Sequence, residues 1–93
     1  MTINLPIRCE VPGGALFEGL AADLSIGGLY IEAGETPAFG TEITIVGDFP
    51  GAPGTRLPAV VRWMKPGGFG VQFGLLGARE THLLSGLVHQ RAR

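Results

Sequence analysis

The sequence predicts an all-β fold, in which six antiparallel strands close into a small barrel and one C-terminal α-helix follows. Glycine and proline are frequent, at 16 and 7 of 93 residues, and both interrupt helices and mark turns between short strands. Apolar residues alternate with polar ones in several short segments, the period of a strand with one buried face. Only the last segment has helical spacing. Because the chain is too short for two hydrophobic cores, we expect residues 1–93 to form one domain.

The first two predicted strands form a hairpin. The apolar positions of the first strand are Leu5, Ile7, Cys9 and Val11. The turn Pro12-Gly13-Gly14 separates this strand from residues 15–22, which we interpret as its partner. Pro6 lacks an N–H for a ladder hydrogen bond, so we expect the first strand to lie at a sheet edge near its start.

Four more strands are predicted, over residues 29–33, 41–46, 57–64 and 69–73, because these segments alternate or are rich in β-branched residues. The inner face of the fifth strand is predicted to carry Leu57, Ala59, Val61 and Trp63. Between the fourth and fifth strands, residues 47–55 contain three glycines and two prolines. This composition predicts a broad, exposed loop rather than a continuing ladder.

The C-terminal segment predicts an amphipathic helix over residues 79–91. Its apolar positions are Leu83, Leu84, Leu87 and Val88, with charged and polar residues mostly on the other side. Two roles stay open for the apolar face, which could cap the barrel or contact another protein.

Charge and composition exclude several classes of function. Seven Lys and Arg against eight Asp and Glu give a net charge of −1, so the chain has no basic field to attract DNA or RNA. Cys9 has no partner for an internal disulfide, and the sequence predicts neither a signal peptide nor a membrane span. These features favour a cytoplasmic protein. The apolar composition favours a surface covered by a partner, either another protein or a second copy of this chain.

The sequence contains few of the residue combinations that catalysis or metal binding requires. Nucleophilic catalysis needs a Ser or Cys beside a base and an orienting group, and the predicted position of Cys9 is in the core. His82 and His89 lie on the predicted helix without further ligands at the spacing of a metal site. No glycine-rich segment matches a phosphate-binding P-loop. We therefore expect no enzyme activity, no catalytic residue, no metal and no cofactor.

The most informative segment is the predicted turn from Asp23 to Gly28. The carboxylate of Asp23 can accept two hydrogen bonds from the N1 and N2 edge of a guanine, and the hydroxyl of Ser25 can donate or accept. A glycine such as Gly28 lets a flat base approach the backbone. Taken alone, the pattern Asp-x-Ser-x-x-Gly is equally well explained as a β-turn closed by a side-chain hydrogen bond.

With its neighbours, this segment resembles the PilZ family. The segments that carry the resemblance are Asp23-Leu24-Ser25-Ile26-Gly27-Gly28-Leu29-Tyr30-Ile31-Glu32, Pro37-Ala38-Phe39-Gly40-Thr41-Glu42-Ile43, Val60-Val61-Arg62-Trp63 and Gly70-Val71-Gln72-Phe73. The resemblance implies a six-stranded barrel, often with a C-terminal helix, and the bacterial messenger cyclic di-GMP as the usual ligand. It also implies that Asp23, Ser25 and Gly28 match the second ligand-binding motif of the family.

The first ligand-binding motif of that family, Arg-x-x-x-Arg before the first strand, is missing. Arg8 has no arginine four residues to either side. Paired guanidinium groups supply charge-assisted, bidentate contacts to phosphate, and the loss of two such contacts would weaken binding by a factor on the order of 100 to 10,000. Asp23 would then repel a dianionic ligand. Arg8, Arg56 or Arg62 could compensate only if the fold brings one of them near the turn.

Two functions follow as hypotheses. The first is a PilZ-like signalling or adaptor domain that works through protein contacts and binds cyclic di-GMP weakly or not at all. The alternative is a working cyclic di-GMP receptor whose site is completed by Arg8 or another nonstandard arginine, or by another chain.

Overall fold

A computed structural model shows six strands and one helix. It describes residues 2–14, 16–25 and 27–91, with the backbone alone for residues 88–91. The elements are β1 Thr2–Glu10, β2 Leu16–Leu24, β3 Gly28–Glu32, β4 Glu42–Phe49, β5 Ala52–Lys65, β6 Gly68–Phe73 and α1 Ala78–Arg91. Each strand pairs with antiparallel neighbours in the order β1-β2-β3-β6-β5-β4, and β4 pairs back onto β1 to close the barrel. The predicted six-stranded antiparallel barrel with a C-terminal helix is confirmed.

The start of β1 lies at an open edge, as Pro6 predicts. Residues 7–10 pair with both β2 and β4, whereas Pro6 pairs only with Leu20 of β2. Pro6 therefore lies in a part of β1 that has a neighbour on one side only, the kind of edge position where strand prolines are found. Further along β1, the side chains of Ile7 and Cys9 enter the core.

The predicted turn between the second and third strands is shorter than the sequence suggested. Asp23 and Leu24 still belong to β2, where Asp23 pairs with Tyr30 of β3, and Gly28 already belongs to β3. Leu24 is 1% exposed. Burial of this leucine explains why the ladder continues past the residues whose composition signalled a turn.

Residues 47–55 do not form the broad loop that their glycines and prolines predicted. β4 continues to Phe49 and β5 begins at Ala52, and these two residues pair across a tight turn. Gly51 adopts a φ of 78°, a left-handed conformation that glycine takes without a steric cost. The ring of Phe49 is 2% exposed. Its burial in the core outweighs the weak strand propensity around it.

Trp63 does not point into the barrel as the alternation of the fifth strand predicted. The register between β5 and β6 shifts between Val61 and Trp63, so that Arg62 is the extra residue of a β-bulge. A one-residue shift moves all following side chains to the other face. Val61 is fully buried, while Trp63 is 47% exposed.

One continuous core fills the barrel, and it includes a residue of the helix. The buried cluster comprises Ile7, Cys9, Phe17, Ala21, Leu24, Leu29, Ile31, Ile43, Ile45, Phe49, Leu57, Ala59, Val61, Phe69, Val71 and Leu84. Leu84 of α1 is 1% exposed, and Leu83 and Leu87 pack against the cluster. The helix therefore covers the barrel with this face. The side chains of Val88, predicted on the apolar face, and of His89 lie outside the described residues.

Candidate functional site

A depression of about 300 Å³ lies where β2 ends and β3 begins. Its described lining brings together the three motif residues and two aromatic residues from different strands: Asp23, Ser25, Gly28, Tyr30 and Trp63. Asp23 and Ser25 are exposed. The sequence predicted that the first three share a site, and the fold places them on one surface.

The hydroxyl of Ser25 closes the turn. Its Oγ accepts a hydrogen bond from the N–H of Gly28 at 3.2 Å and donates one to the carbonyl of Gly28 at 3.3 Å. The N–H of Ser25 also donates to the same carbonyl at 2.9 Å. Ser25 thus has a structural role in this turn, and both long side-chain bonds leave the hydroxyl able to exchange partners with a ligand.

Gly28 is required by the packing of β3 against β6. A Cβ at this position would collide with the backbone carbonyl oxygen of Val71, an atom that cannot move without breaking the ladder. The same absence of a side chain keeps the floor of the depression open. The glycine of the motif therefore serves the strand pairing and the shape of the site at once.

Two stacked aromatic rings form one wall. The rings of Tyr30 and Trp63 are parallel within 3°, with centroids 5.3 Å apart, and Nζ of Lys65 lies 4.8 Å from the centroid of Tyr30. Gly70 of β6 lies between them, as the strand partner of both residues. A Cβ at Gly70 would collide with the indole of Trp63, so the stacked pair depends on this glycine.

Asp23 is the only charged side chain in the described lining of the depression. Arg8 is exposed on β1 and lines a different depression, with Glu18 and Asp48. Its strand partner Glu18 is five positions from Asp23 along β2, or roughly 16 Å. The structure therefore does not bring Arg8 to the turn.

Arg56 is also remote from the turn and is engaged elsewhere. Its guanidinium contacts the carboxylate of Glu10 at 2.6 and 3.4 Å. The hydrogen bond from Arg56 lowers the pKa of Glu10, and the charges of Arg56 and Arg8 lower it further. Because this ion pair lies on the surface, its contribution to stability is small.

Arg62 lies closer to the motif. Its Nε donates to Oε1 of Gln72 at 3.0 Å, and Gln72 is the strand partner of Gly28. Of the three arginines considered from the sequence, Arg62 alone is tied to a strand neighbour of the motif.

Comparison with known proteins decides the family. The sequence profile of the PilZ domain matches residues 1–90. The chain belongs to the PilZ family. PilZ domains are cyclic di-GMP receptor and adaptor domains, and they are binding modules rather than typical enzymes. No protein of curated function matches the chain in sequence.

Solved structures similar to this PilZ domain include the following two. One is the PilZ domain of CeSA from a cellulose-synthesizing bacterium, with a TM-score of 0.78 and 18% identity over 100% of this chain and 97% of that one. The other is the inhibitor of motility MotI/DgrA of Bacillus subtilis, with a TM-score of 0.77 and 15% identity. The match to the latter covers 99% of this chain but 49% of that protein. At these identities the likeness establishes the fold.

Sequence reasoning missed the aromatic wall of this PilZ domain. It assigned Trp63 to the core and gave Tyr30 no role. The bulge at Arg62 cannot be detected from the alternation of apolar and polar residues along the fifth strand. The signal that could have revealed it is the spacing Gly68-x-Gly70 in β6, since consecutive outward glycines make room for large side chains from both neighbouring strands.

Other sites are not supported within the described residues. These residues contain no group of three or more His, Cys, Asp or Glu that could hold a metal ion. In the part of the chain that the structure describes, no helix is long and apolar enough to cross a membrane. Cys9 is fully buried, and burial raises the pKa of its thiol to about 11, which is unfavourable for a nucleophile.

Proposed function

We propose that this PilZ domain, spanning residues 1–93, is a signalling adaptor that acts through protein contacts and binds cyclic di-GMP weakly or not at all. The observation that carries the proposal is the composition of the site. Asp23, Ser25 and Gly28 meet at one depression, but its described lining includes no cation. A ligand with two phosphates would find no paired guanidiniums among these described lining residues to bind them.

The site nevertheless keeps the groups that recognise a guanine. The carboxylate of Asp23 can accept from the N1 and N2 donors of the base, and the hydroxyl of Ser25 lies next to it in the same lining. We therefore propose Asp23, Ser25 and Gly28 as the ligand-binding residues. Arg8, the fourth residue predicted from the sequence, lies in another depression and is left out of the proposed site.

Isothermal titration with cyclic di-GMP tests the proposal. We expect a dissociation constant well above the micromolar range or no measurable heat. A submicromolar constant that collapses in Asp23→Ala and Ser25→Ala would overturn the proposal in favour of a working receptor. Arg8→Ala is the matched control, because it removes an exposed charge from a different depression.

Exposed apolar side chains support the part of the proposal that concerns protein contacts. Large apolar residues with at least 47% of their surface exposed are Leu16, Phe39, Trp63, Met64 and Leu75. Contiguous exposed apolar patches mark contact surfaces, and we propose that some of these side chains contribute to a contact with another protein or a second copy of the chain. A cytoplasmic location, where the single cysteine stays reduced, belongs to the same proposal.

A photo-crosslinking residue in place of Phe39, which is 64% exposed, tests these contacts. We expect it to capture one partner in cells to the same extent with and without elevated cyclic di-GMP. Capture that requires the messenger would instead indicate a receptor. A crosslinking residue in place of Arg8 controls for contacts with the depression that Arg8 lines.

A further inference from the structure

We infer that Arg62, positioned by Gln72, is the phosphate-binding residue of the depression at Asp23, and that it engages a single phosphate of a guanine nucleotide. This inference rests on the proposed function for the location of the site. The inference goes beyond the proposed function in two respects. It names the side chain that provides the remaining affinity for the nucleotide, and it names the phosphate as the group that this side chain contacts.

The β-bulge in β5 presents Arg62 on the outer wall. Because the register shifts between Val61 and Trp63, the extra residue Arg62 and its neighbour Trp63 are both exposed. Trp63 lines the depression. A regular strand would place these consecutive side chains on opposite faces, so the bulge is what leaves Arg62 and Trp63 exposed together on the outer wall.

Gln72 holds the guanidinium over β6, next to the motif. The Oε1 of Gln72 accepts from Nε of Arg62 at 3.0 Å. Gln72 pairs with Gly28 across the β3–β6 ladder, and paired Cα atoms lie about 5 Å apart. The next residue, Phe73, donates its N–H to the carbonyl of Gly27 at 3.0 Å. This end of β6 is therefore tied to the turn that carries the motif.

The bond to Gln72 leaves much of the guanidinium free to bind a ligand. Only the Nε–H of Arg62 donates to Gln72. The four N–H groups of the two terminal nitrogens are not used in this bond. These terminal groups form the fork that binds a phosphate in a bidentate manner. Fixing Nε reduces the side-chain freedom that phosphate binding would otherwise remove.

Other basic side chains have different surroundings. Arg8 lines the depression with Glu18 and Asp48, and Arg56 is paired with Glu10. Lys65 lies over the ring of Tyr30. Of the arginines considered from the sequence, Arg62 alone is bonded to a strand neighbour of the motif, which predicts one phosphate contact. A volume of about 300 Å³ is at the lower end of the ~300–1,000 Å³ of small-molecule pockets. Both features favour a site that holds one nucleotide, which is half of the cyclic dinucleotide.

The test is a titration followed by Trp63, the only tryptophan of the chain, with cyclic di-GMP and with 5′-GMP as probes. We expect weak binding of both, with dissociation constants well above the micromolar range and within about tenfold of each other. Arg62→Ala should weaken binding of cyclic di-GMP by about 10- to 100-fold and reduce its dependence on salt. Arg8→Ala, the matched control, should change neither.

A double-mutant cycle separates positioning from a merely structural role of Gln72. Gln72→Ala should weaken binding several-fold in the wild-type background but have no further effect in Arg62→Ala, because its contribution passes through the guanidinium. Arg62 and Gln72 are both exposed, so each variant is expected to fold, and thermal melting checks this.

The outcomes distinguish this inference from the proposed function. If Arg62→Ala leaves the affinity unchanged while Asp23→Ala abolishes it, the inference is wrong and the adaptor proposal stands. If neither nucleotide saturates at millimolar concentration, the inference is also wrong, and the adaptor proposal is supported. A preference above 100-fold for cyclic di-GMP over 5′-GMP overturns the single-phosphate contact. A submicromolar constant that depends on Arg62 overturns the weak-binding proposal and supports the inference.

Discussion

Thr2 is the strand partner of Asp23 across the β1–β2 pair. This pairing places the beginning of the first strand beside the acidic residue of the motif, although 20 residues separate them in the sequence. It explains how an arginine motif before the first strand and an Asp-x-Ser-x-x-Gly motif after the second can form one site. Among the described residues, the positions of β1 nearest Asp23 are a threonine and other uncharged residues, so β1 supplies no arginine there.

Gly70→Ala should destabilise the barrel and break the stacked pair of Tyr30 and Trp63. The new methyl group would collide with the indole, and overpacking of this kind costs about 1–3 kcal/mol. Urea unfolding measures the loss, and the emission of Trp63 should shift as the ring is displaced. Gly34→Ala is the matched control, because a Cβ there meets no atom within 4 Å. An unchanged stability and emission spectrum in Gly70→Ala would contradict this packing.

Phe49→Ala should cost about 3–5 kcal/mol in the free energy of unfolding. The ring is 2% exposed and anchors the hairpin formed by residues 47–55 in the core. Phe39→Ala removes the same side chain where it is 64% exposed, and its effect should stay within about 0.5 kcal/mol. Equal effects of the two substitutions would show that residues 47–55 form an exposed loop after all.

Leu84→Ala should destabilise the domain by about 2–5 kcal/mol, because Leu84 is 1% exposed in the core. Leu75, which is 98% exposed, provides the control, and Leu75→Ala should leave the stability within about 0.5 kcal/mol of the wild type. Deletion of residues 79–93 should prevent cooperative unfolding. A deleted chain that unfolds with the wild-type midpoint would assign the helix to an interface rather than to the cap.

The thiol of Cys9 should make stability depend on alkaline pH. Burial raises its pKa from 9.0 to about 11, so the native state binds the thiol proton more tightly than the unfolded chain does. This contribution to stability is fully present below pH 9 and is lost as the pH rises through about 11. The difference in unfolding free energy between wild type and Cys9→Ala should therefore shrink over that range. A difference that is constant from pH 8 to 11 would contradict the burial of the thiol.

Much of the fold could be predicted from the sequence because alternation and turn residues act locally. The alternating positions of β1, β3 and β6 gave their inner faces, and Pro6 indicated the open edge of β1. The prediction failed at residues 47–55. There, Phe49 is buried in a core formed by residues far from it in sequence, and this burial overrides the local preference of glycine and proline for a loop. It failed again at Trp63, because a bulge depends on the pairing of two strands and not on either strand alone.

The candidate site was predictable only in part. Asp23, Ser25 and Gly28 are close in sequence, so their spacing reveals them. Arg62 and Gln72 are ten residues apart on two strands, and their hydrogen bond follows from the register of β5 and β6. The choice among Arg8, Arg56 and Arg62 required the topology, because all three are exposed arginines whose local sequence carries no information about distance from the motif.

The most direct test of the central claim restores the missing cations where the register places them. Thr2→Arg together with Pro6→Arg creates the four-residue arginine spacing on β1, with one substitution opposite Asp23, at two exposed positions. In one calorimetric titration with cyclic di-GMP, we predict weak or no binding by the wild type. The double variant should bind at least about 100-fold more tightly, and Asp23→Ala should cancel this gain. Submicromolar binding by the unmodified chain would contradict the account.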